Sequence, residues 1–224
     1  MKRYVLIVAG GKGLRMGAEL PKQFIPISGR PVLIRTLECF YAWDKGAERI
    51  LVIPAAHREY WKRLCEDYDC LPPHLIADGG ETRFHSVLSG LEMVAGGSGL
   101  VAVHDGARPF VEPELIEACF DAALRYGAAV PVMRMVDSVR LATDDGKSRP
   151  VDRSRYLSVQ TPQAFRLELL KEAYRQPYTP AFTDDASVVE AMGGEIYTVP
   201  GNRRNIKITD PFDLCIAEAL LRKS

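Results

Sequence analysis

Leu6-Ile7-Val8-Ala9-Gly10-Gly11-Lys12-Gly13-Leu14-Arg15-Met16-Gly17 runs an apolar segment straight into a glycine loop, and Pro21-Lys22-Gln23-Phe24 follows. The apolar part predicts a strand over about Tyr4 to Ala9, with the glycines forming the turn at its carboxyl end. Gly10, Gly11 and Gly13 allow φ > 0 and close backbone approach, so successive N–H groups can converge on anionic oxygens. Arg15 and Lys22 add full positive charge. An ordinary strand-to-helix turn would account for the glycines but has no use for converging cations, so the loop reads as a polyphosphate site. Two familiar phosphate loops fit worse. Counted from Gly11, the dinucleotide fingerprint finds Met16 where its third glycine belongs. The nucleoside triphosphate P-loop needs Gly-Lys followed by Ser or Thr, and here Gly11-Lys12 is followed by Gly13.

Outward from the loop, apolar runs alternate with segments of helical period, which predicts an α/β sheet covered by helices on both faces. Gly29-Arg30-Pro31 reads as a helix start, with Val32, Leu33, Leu37 and Phe40 as its apolar face. Strands are expected at Arg49 to Pro54, Leu75 to Ala77, Leu100 to His104, Ala128 to Met133 and Glu195 to Val199. Helices are expected at His57 to Asp67, Thr82 to Val94, Pro113 to Tyr126 and near Leu167 to Tyr174. Two more are expected near Asp184 to Met192, capped by Thr183, and from Asp210-Pro211 to Leu221. Between Arg134 and Gln160 the pattern changes. Met135 to Leu141 alternates, Asp144-Asp145-Gly146-Lys147 is a strong turn signal, and Val151 to Val159 returns, which predicts a β-hairpin arm. Such an arm has little to bury within its own domain. It either packs on a second copy of the chain or edges the sheet.

The 224 residues are 47% hydrophobic, enough for one sizeable core, and no internal repeat or low-complexity linker divides them, so a single domain is expected. Lysine plus arginine and aspartate plus glutamate both number 29, which argues against a nucleic-acid binder or a membrane-surface protein and makes any phosphate site local. Met1-Lys2-Arg3 leads into a short strand rather than a signal sequence, and no apolar run approaches membrane-spanning length, so a cytoplasmic address is expected. Cys39, Cys65, Cys70, Cys119 and Cys215 are odd in number and none forms a Cys-x-x-Cys pair. They suggest neither a disulfide framework nor a zinc site.

Ligands of an open α/β sheet bind outside the carboxyl ends of its strands. Three segments are expected there: the Gly10 to Arg15 loop, Asp78-Gly79-Gly80 with Arg83, and His104-Asp105-Gly106-Ala107-Arg108-Pro109. Asp105 suits a Mg²⁺ bound to phosphates, which takes one or two carboxylates and keeps several waters. A helix cap or turn is its alternative role. His104 reads as a buried strand residue. Arg108 either pairs with a second phosphate or is a surface arginine, and Lys207, between Ile206 and Ile208 in an expected strand, either points into a cleft or is solvated at an edge.

In order along nearly the whole chain, seven segments resemble the 2-C-methyl-D-erythritol 4-phosphate cytidylyltransferase family. They are Ala9 to Met16 with Pro21-Lys22-Gln23, Asp78 to Arg83 with Ser86-Val87, His104 to Pro109, Val151-Asp152-Arg153, Gln160 to Phe165, Thr183 to Ser187 and Asn205 to Thr209. The resemblance implies a Rossmann-like, mostly parallel sheet with a protruding arm at about 134–160 that completes the neighbouring subunit's site, hence a homodimer. It implies transfer of CMP from CTP to methylerythritol phosphate, with Mg²⁺ and release of pyrophosphate. By resemblance, Arg15, Lys22 and Lys207 are catalytic. Ala9, Gly10, Gly11, Gly13, Gly80, Arg83, Ser86, Asp105 and Gly106 belong with them to the CTP side. Asp105, Arg108, Thr161 and Thr183, with Ser138 and Arg153 from the partner's arm, belong to the acceptor side, and Asp105 to the metal. Arg204 stands where many relatives carry an acidic residue, so no second carboxylate is named for the metal. A cytidylyltransferase for ribitol or ribulose 5-phosphate, which would carry the same cations, and a non-catalytic nucleotide-binding module are the competing readings.

Overall fold

In the computed structural model, residues 1–10, 21–68 and 71–222 are described. In chain order they form β1 (Arg3–Val8), a short hairpin of β2 (Pro26–Ile27) and β3 (Arg30–Pro31), α1 (Val32–Trp43), β4 (Glu48–Ile53), α2 (Arg58–Asp67) and β5 (Leu75–Asp78). Next come α3 (Arg83–Glu92), β6 (Leu100–Asp105), α4 (Pro113–Tyr126), β7 (Ala128–Arg134), β8 (Arg140–Ala142), β9 (Ser148–Pro150) and β10 (Leu157–Val159). The chain ends with β11 (Gln163–Arg166), α5 (Leu167–Ala173), α6 (Asp185–Ala191), β12 (Tyr197–Pro200) and α7 (Pro211–Leu221).

The central sheet runs β10-β7-β11-β6-β1-β4-β5, with β12 on the other edge of β7, since Ala129 faces Ala164 on one side and Tyr197 on the other. The pairs of β1 with β4 and β6, β4 with β5, and β7 with β12 are parallel. Strand β11 enters antiparallel between β6 and β7, and β10 is antiparallel to β7, so the sheet is mixed. The sequence pattern did not show β11 as a strand.

Alternation along the strands splits the core into two layers, because successive side chains of a strand point to opposite faces. Val5 and Ile7 of β1 and Ala164 of β11 pack against α1, α2 and α4 through Leu37, Phe40, Trp61 and Phe120. Tyr4 and Leu6 of β1 and Phe165 of β11 pack on the other face against α3, α5 and α6 through Val87, Leu170 and Val189. This double cover is what the alternating pattern predicts. Among the described residues, no helix is long and apolar enough to cross a membrane.

Three expectations change in detail. Helix α6 is capped by Asp184 rather than Thr183, because the Asp184 carboxylate accepts the Ser187 N–H while the Ser187 hydroxyl accepts the Asp184 N–H. The Asn205 to Thr209 segment joins no strand; it is held by Ile208 N–H donating to the Ala107 carbonyl at 2.8 Å. The hairpin proper is β8 and β9, and the returning chain rejoins the main sheet as β10. Around the hairpin, Val136, Leu141 and Tyr156 are exposed.

Helix α3 approaches the sheet through Gly90, where an added Cβ would stand 2.8 Å from Leu6 Cδ2 and 2.9 Å from Val52 Cγ2. Both neighbours are fully buried and have nowhere to move. Gly90→Ala gains about 1 kcal/mol of helix propensity but incurs about 1–3 kcal/mol of overpacking. A net loss of about 1 kcal/mol is expected, read as a lower urea midpoint at unchanged slope.

Candidate active site

The carboxyl ends of β1, β5 and β6 open on one cleft. Strand β1 ends at Val8, and Ala9 is tied to β4 by its N–H to the Val52 carbonyl at 2.8 Å. The buried Gln23 side chain donates to the Ala9 carbonyl at 2.9 Å, which brings the preceding Lys22 to the same strand end. Past β5, Gly80 N–H donates to Ser86 Oγ at 3.1 Å, and that hydroxyl donates to the Thr82 carbonyl at 2.9 Å. Only glycine fits at Gly80, since a Cβ there would lie 2.4 Å from His85 Cβ and 2.9 Å from the His85 carbonyl carbon.

Two cavities meet in this cleft. One, of about 260 Å³, is lined by Ala9, Gly10, Lys22, Gly80, Glu81 and Ser86, among others. The second, of about 320 Å³, is lined by Arg108, Gln160, Thr161, Gln163, Thr183 and Asp184. Arg83, Asp105 and Lys207 line both. Asp105 is the hinge of this shared wall. Its Oδ2 lies 3.0 Å from Lys207 Nζ and 3.2 Å from Arg108 Nε, and its Oδ1 lies 4.0 Å from Arg83 Nε. Burial opposes the charge on Asp105, but Lys207, Arg83 and Arg108 outweigh it and hold the carboxyl well below the usual carboxylate range. Arg83 is also paired with the buried Asp185, so it is Lys207 and Arg108 around the one Asp105 carboxylate that leave positive charge on this wall, which suits a polyanion.

Arg108 is fixed from both ends: its Nη1 donates to the Asn205 carbonyl at 2.8 Å, and its own carbonyl faces His104 Nε2 at 3.1 Å. A carbonyl only accepts, so Nε2 carries the proton and Nδ1 accepts from the Thr161 hydroxyl at 3.1 Å. That hydroxyl in turn accepts the Asp105 N–H at 3.0 Å. Burial lowers the His104 pKa to about 4, keeping the ring neutral and this chain of bonds in one sense. His104 is thus the buried residue its strand position predicts, one that braces the site from beneath.

The structure gathers most of the residues singled out from the sequence. Ala9, Gly10, Lys22, Gly80, Arg83, Ser86, Asp105 and Lys207 line the first cavity, and Arg108, Thr161 and Thr183 the second. Gly11, Gly13 and Arg15 lie outside the described residues. Gly106 is placed beneath the cleft rather than in it: its N–H donates to the Val8 carbonyl at 2.8 Å and its carbonyl accepts from Thr36 Oγ1 at 3.2 Å. Ser138 and Arg153 sit on the exposed arm and line neither cavity, and Arg153 donates to the Val136 carbonyl. Sequence reasoning passed over Gln163, whose amide bridges Asp184 Oδ2 and the Ala186 N–H at 2.8 and 3.0 Å, and the buried Asp185. Their place in the Gln160 to Phe165 and Thr183 to Ser187 segments was the available signal.

A doubly covered α/β sheet with two polar cavities joined at its strand ends fits the class of nucleotidyltransferases, and comparison with known proteins places the chain in that class. The model of the family 2-C-methyl-D-erythritol 4-phosphate cytidylyltransferase matches residues 4–223. The enzyme of that name from Phocaeicola vulgatus is 59% identical over 221 residues, spanning 99% of this chain and 100% of its own. A crystal structure of the Thermus thermophilus enzyme of the same name superposes with a TM-score of 0.80 at 36% identity, covering 99% of this chain and 100% of that one. A crystal structure described as 4-diphosphocytidyl-2C-methyl-D-erythritol synthase from Anaerococcus prevotii gives a TM-score of 0.83 at 31% identity, over 99% and 96% of the two chains. The chain belongs to the 2-C-methyl-D-erythritol 4-phosphate cytidylyltransferase family.

The bracing histidine has a pH signature. Its pKa falls from 6.5 to about 4 on folding, so between these values the unfolded chain binds more protons and stability rises with pH. The contribution, about 3 kcal/mol in all, is fully present above about pH 6.5 and is lost as pH falls towards 4. Burial moves His74 in the same direction, so part of the slope belongs to it. Urea unfolding of His104→Gln should show lower stability at pH 7 and a flatter slope between pH 4 and 6.5. An unchanged slope would remove His104 as its source.

Proposed function

We propose that this protein is a cytoplasmic cytidylyltransferase that transfers CMP from CTP to 2-C-methyl-D-erythritol 4-phosphate, giving 4-diphosphocytidyl-2-C-methyl-D-erythritol and pyrophosphate. The observation that carries the two-substrate reading is the shared wall of Arg83, Asp105 and Lys207 between the two cavities. A nucleotide in the first cavity and a phosphorylated acceptor in the second would meet across it. In this reading Gly10, Gly80 and Ser86 frame cytosine, Lys22 faces the triphosphate, Arg15 adds its charge to the same task, and Arg108, Thr161 and Thr183 bound the acceptor. The attacking phosphate oxygen is already anionic near neutral pH, so the α-phosphorus is attacked without a general base and pyrophosphate leaves. The work left to the protein is alignment and charge stabilisation. Lys207 belongs to both: its 3.0 Å contact with Asp105 holds its ammonium where the cavities join.

The donors present fit Mg²⁺ held mainly by substrate. No group of three or more His, Cys, Asp or Glu side chains that could hold a metal occurs among the described residues. Asp105 Oδ2 already bonds Lys207 and Arg108, so Oδ1, which Arg83 Nε approaches only to 4.0 Å, would be the protein's contribution, and a triphosphate-bound Mg²⁺ would take its other oxygens from phosphates and water. When bound, the ion neutralises triphosphate charge. The arm, with exposed Val136, Leu141 and Tyr156, is proposed to pack on a second copy of the chain and to carry Ser138 and Arg153 to that copy's acceptor cavity.

Pyrophosphate release with CTP, Mg²⁺ and methylerythritol phosphate tests the reading, with ribitol and ribulose 5-phosphates as rival acceptors. A faster rate with either pentose derivative would reassign the acceptor, and no turnover with any would leave only nucleotide binding. Lys22→Ala should lower kcat about 10²- to 10³-fold with little change in CTP affinity. A raised KM at unchanged kcat would contradict a role in the transition state.

Lys22→Ala and Arg153→Ala subunits, each inactive alone, should regain activity in mixed dimers. Failure to complement would mean that each arm serves its own subunit.

A further inference from the structure

Asp185, the first residue of α6, is fully buried and lines neither cavity, yet it grips a side chain that lines both. Its Oδ1 accepts from Arg83 Nη1 at 3.0 Å and from the Tyr174 hydroxyl at 2.6 Å, and its Oδ2 accepts from Arg83 Nη2 at 2.5 Å. A two-pronged bond of this kind fixes the plane of a guanidinium as well as its position. Here it leaves Arg83 Nε 4.0 Å from Asp105 Oδ1, an ion pair without a hydrogen bond. We propose that Asp185 is a positioning residue for the transfer reaction, holding Arg83 against Asp105 and so fixing the wall between the nucleotide and acceptor cavities. This rests on the function proposed above and names the group that keeps its two halves in register.

Two further observations bear on it. The turn that carries Asp185 also carries the acceptor wall: Thr183 and Asp184 line the second cavity, and Gln163 ties Asp184 to β11. Arg83 itself opens α3, whose first turn carries Ser86 of the first cavity. The Arg83 to Asp185 pair therefore joins the elements that bear the two cavities. A need for stability alone explains the pair poorly, because apolar residues in place of a buried ion pair are often no less stable. Left without Asp185, the Arg83 guanidinium would lose its fixed plane and its set place beside Asp105, and the wall between the cavities would lose its register.

Asp185→Asn keeps the volume and the Tyr174 bond while removing the charge that orients the fork. At temperatures well below its Tm, it should lower kcat/KM for both CTP and the acceptor by about tenfold or more. The double variant Arg83→Gln/Asp185→Asn should be no worse than Arg83→Gln alone. Tyr174→Phe, which takes one hydrogen bond from the same carboxylate but leaves the fork, should lower Tm while changing kcat/KM less than about twofold. Wild-type kinetics in Asp185→Asn, or losses that multiply in the double variant, would overturn the proposal. If Asp185→Asn does not fold, Asp185→Glu, which shifts the fork by one methylene, is read by the same criteria. The reading of function is judged separately, by whether the wild type turns over at all. Whatever that result, separate Arg83 Nη resonances in the NMR spectrum of the wild type, merged in the Asp185 variant, would support the fork, and identical spectra would refute its positioning role.

Discussion

The Asp105 carboxylate, held ionised among Lys207, Arg108 and Arg83 at the carboxyl end of β6, is the interaction on which the rest of the site depends. Each cation comes from a different part of the chain; Lys207 and Arg108 bond the carboxylate directly, and Arg83, held from behind by Asp185, completes the ring. Burial alone would favour a neutral acid, and the cations alone would repel one another. Their mutual dependence explains why the surrounding backbone is so heavily tied. The Asp105 N–H meets Thr161, the Arg108 carbonyl meets His104, and the Arg108 guanidinium meets the Asn205 carbonyl. Sheet, loop and late extended segment are fastened to one another at the point where charge is most concentrated.

The mixed topology serves the same end. Were β11 absent and the sheet parallel throughout, nothing would cross the end of β6. Because the chain leaves β10, turns through Gln160 to Pro162 and descends antiparallel beside β6, Thr161 and Gln163 arrive over the strand ends and form a wall of the second cavity. The first cavity draws on the ends of β1 and β5 with the start of α3, and the second on the turn before β11 and the start of α6. The sheet is the device that brings them edge to edge.

The legible parts of this protein were those whose signal is local. Strand β1 and its glycines, the Asp-Gly-Gly turn after β5 and the aspartate ending β6 each announce themselves within a few residues, and the ordered segments sufficed for the family. What stayed hidden depended on distant partners. Four residues from Gln163 to Arg166 have no period to speak of and become a central strand only because β6 and β7 flank them. Nothing local marks Asp185 as buried, because its partner is an arginine 102 residues earlier. Gly106 stands between two residues named for the site, but hydrogen bonds on both sides of its peptide place it underneath.

The crowding of positive charge at the shared wall has a consequence for how long the protein lasts. Like charges gathered by folding are a cost carried by the empty protein, and any polyanion that settles there relieves it and stabilises the native state by mass action. Nucleotide and pyrophosphate then act as folding ligands as well as reactants. The empty form is then the one more open to unfolding, and the reactants of the site help to hold its fold together.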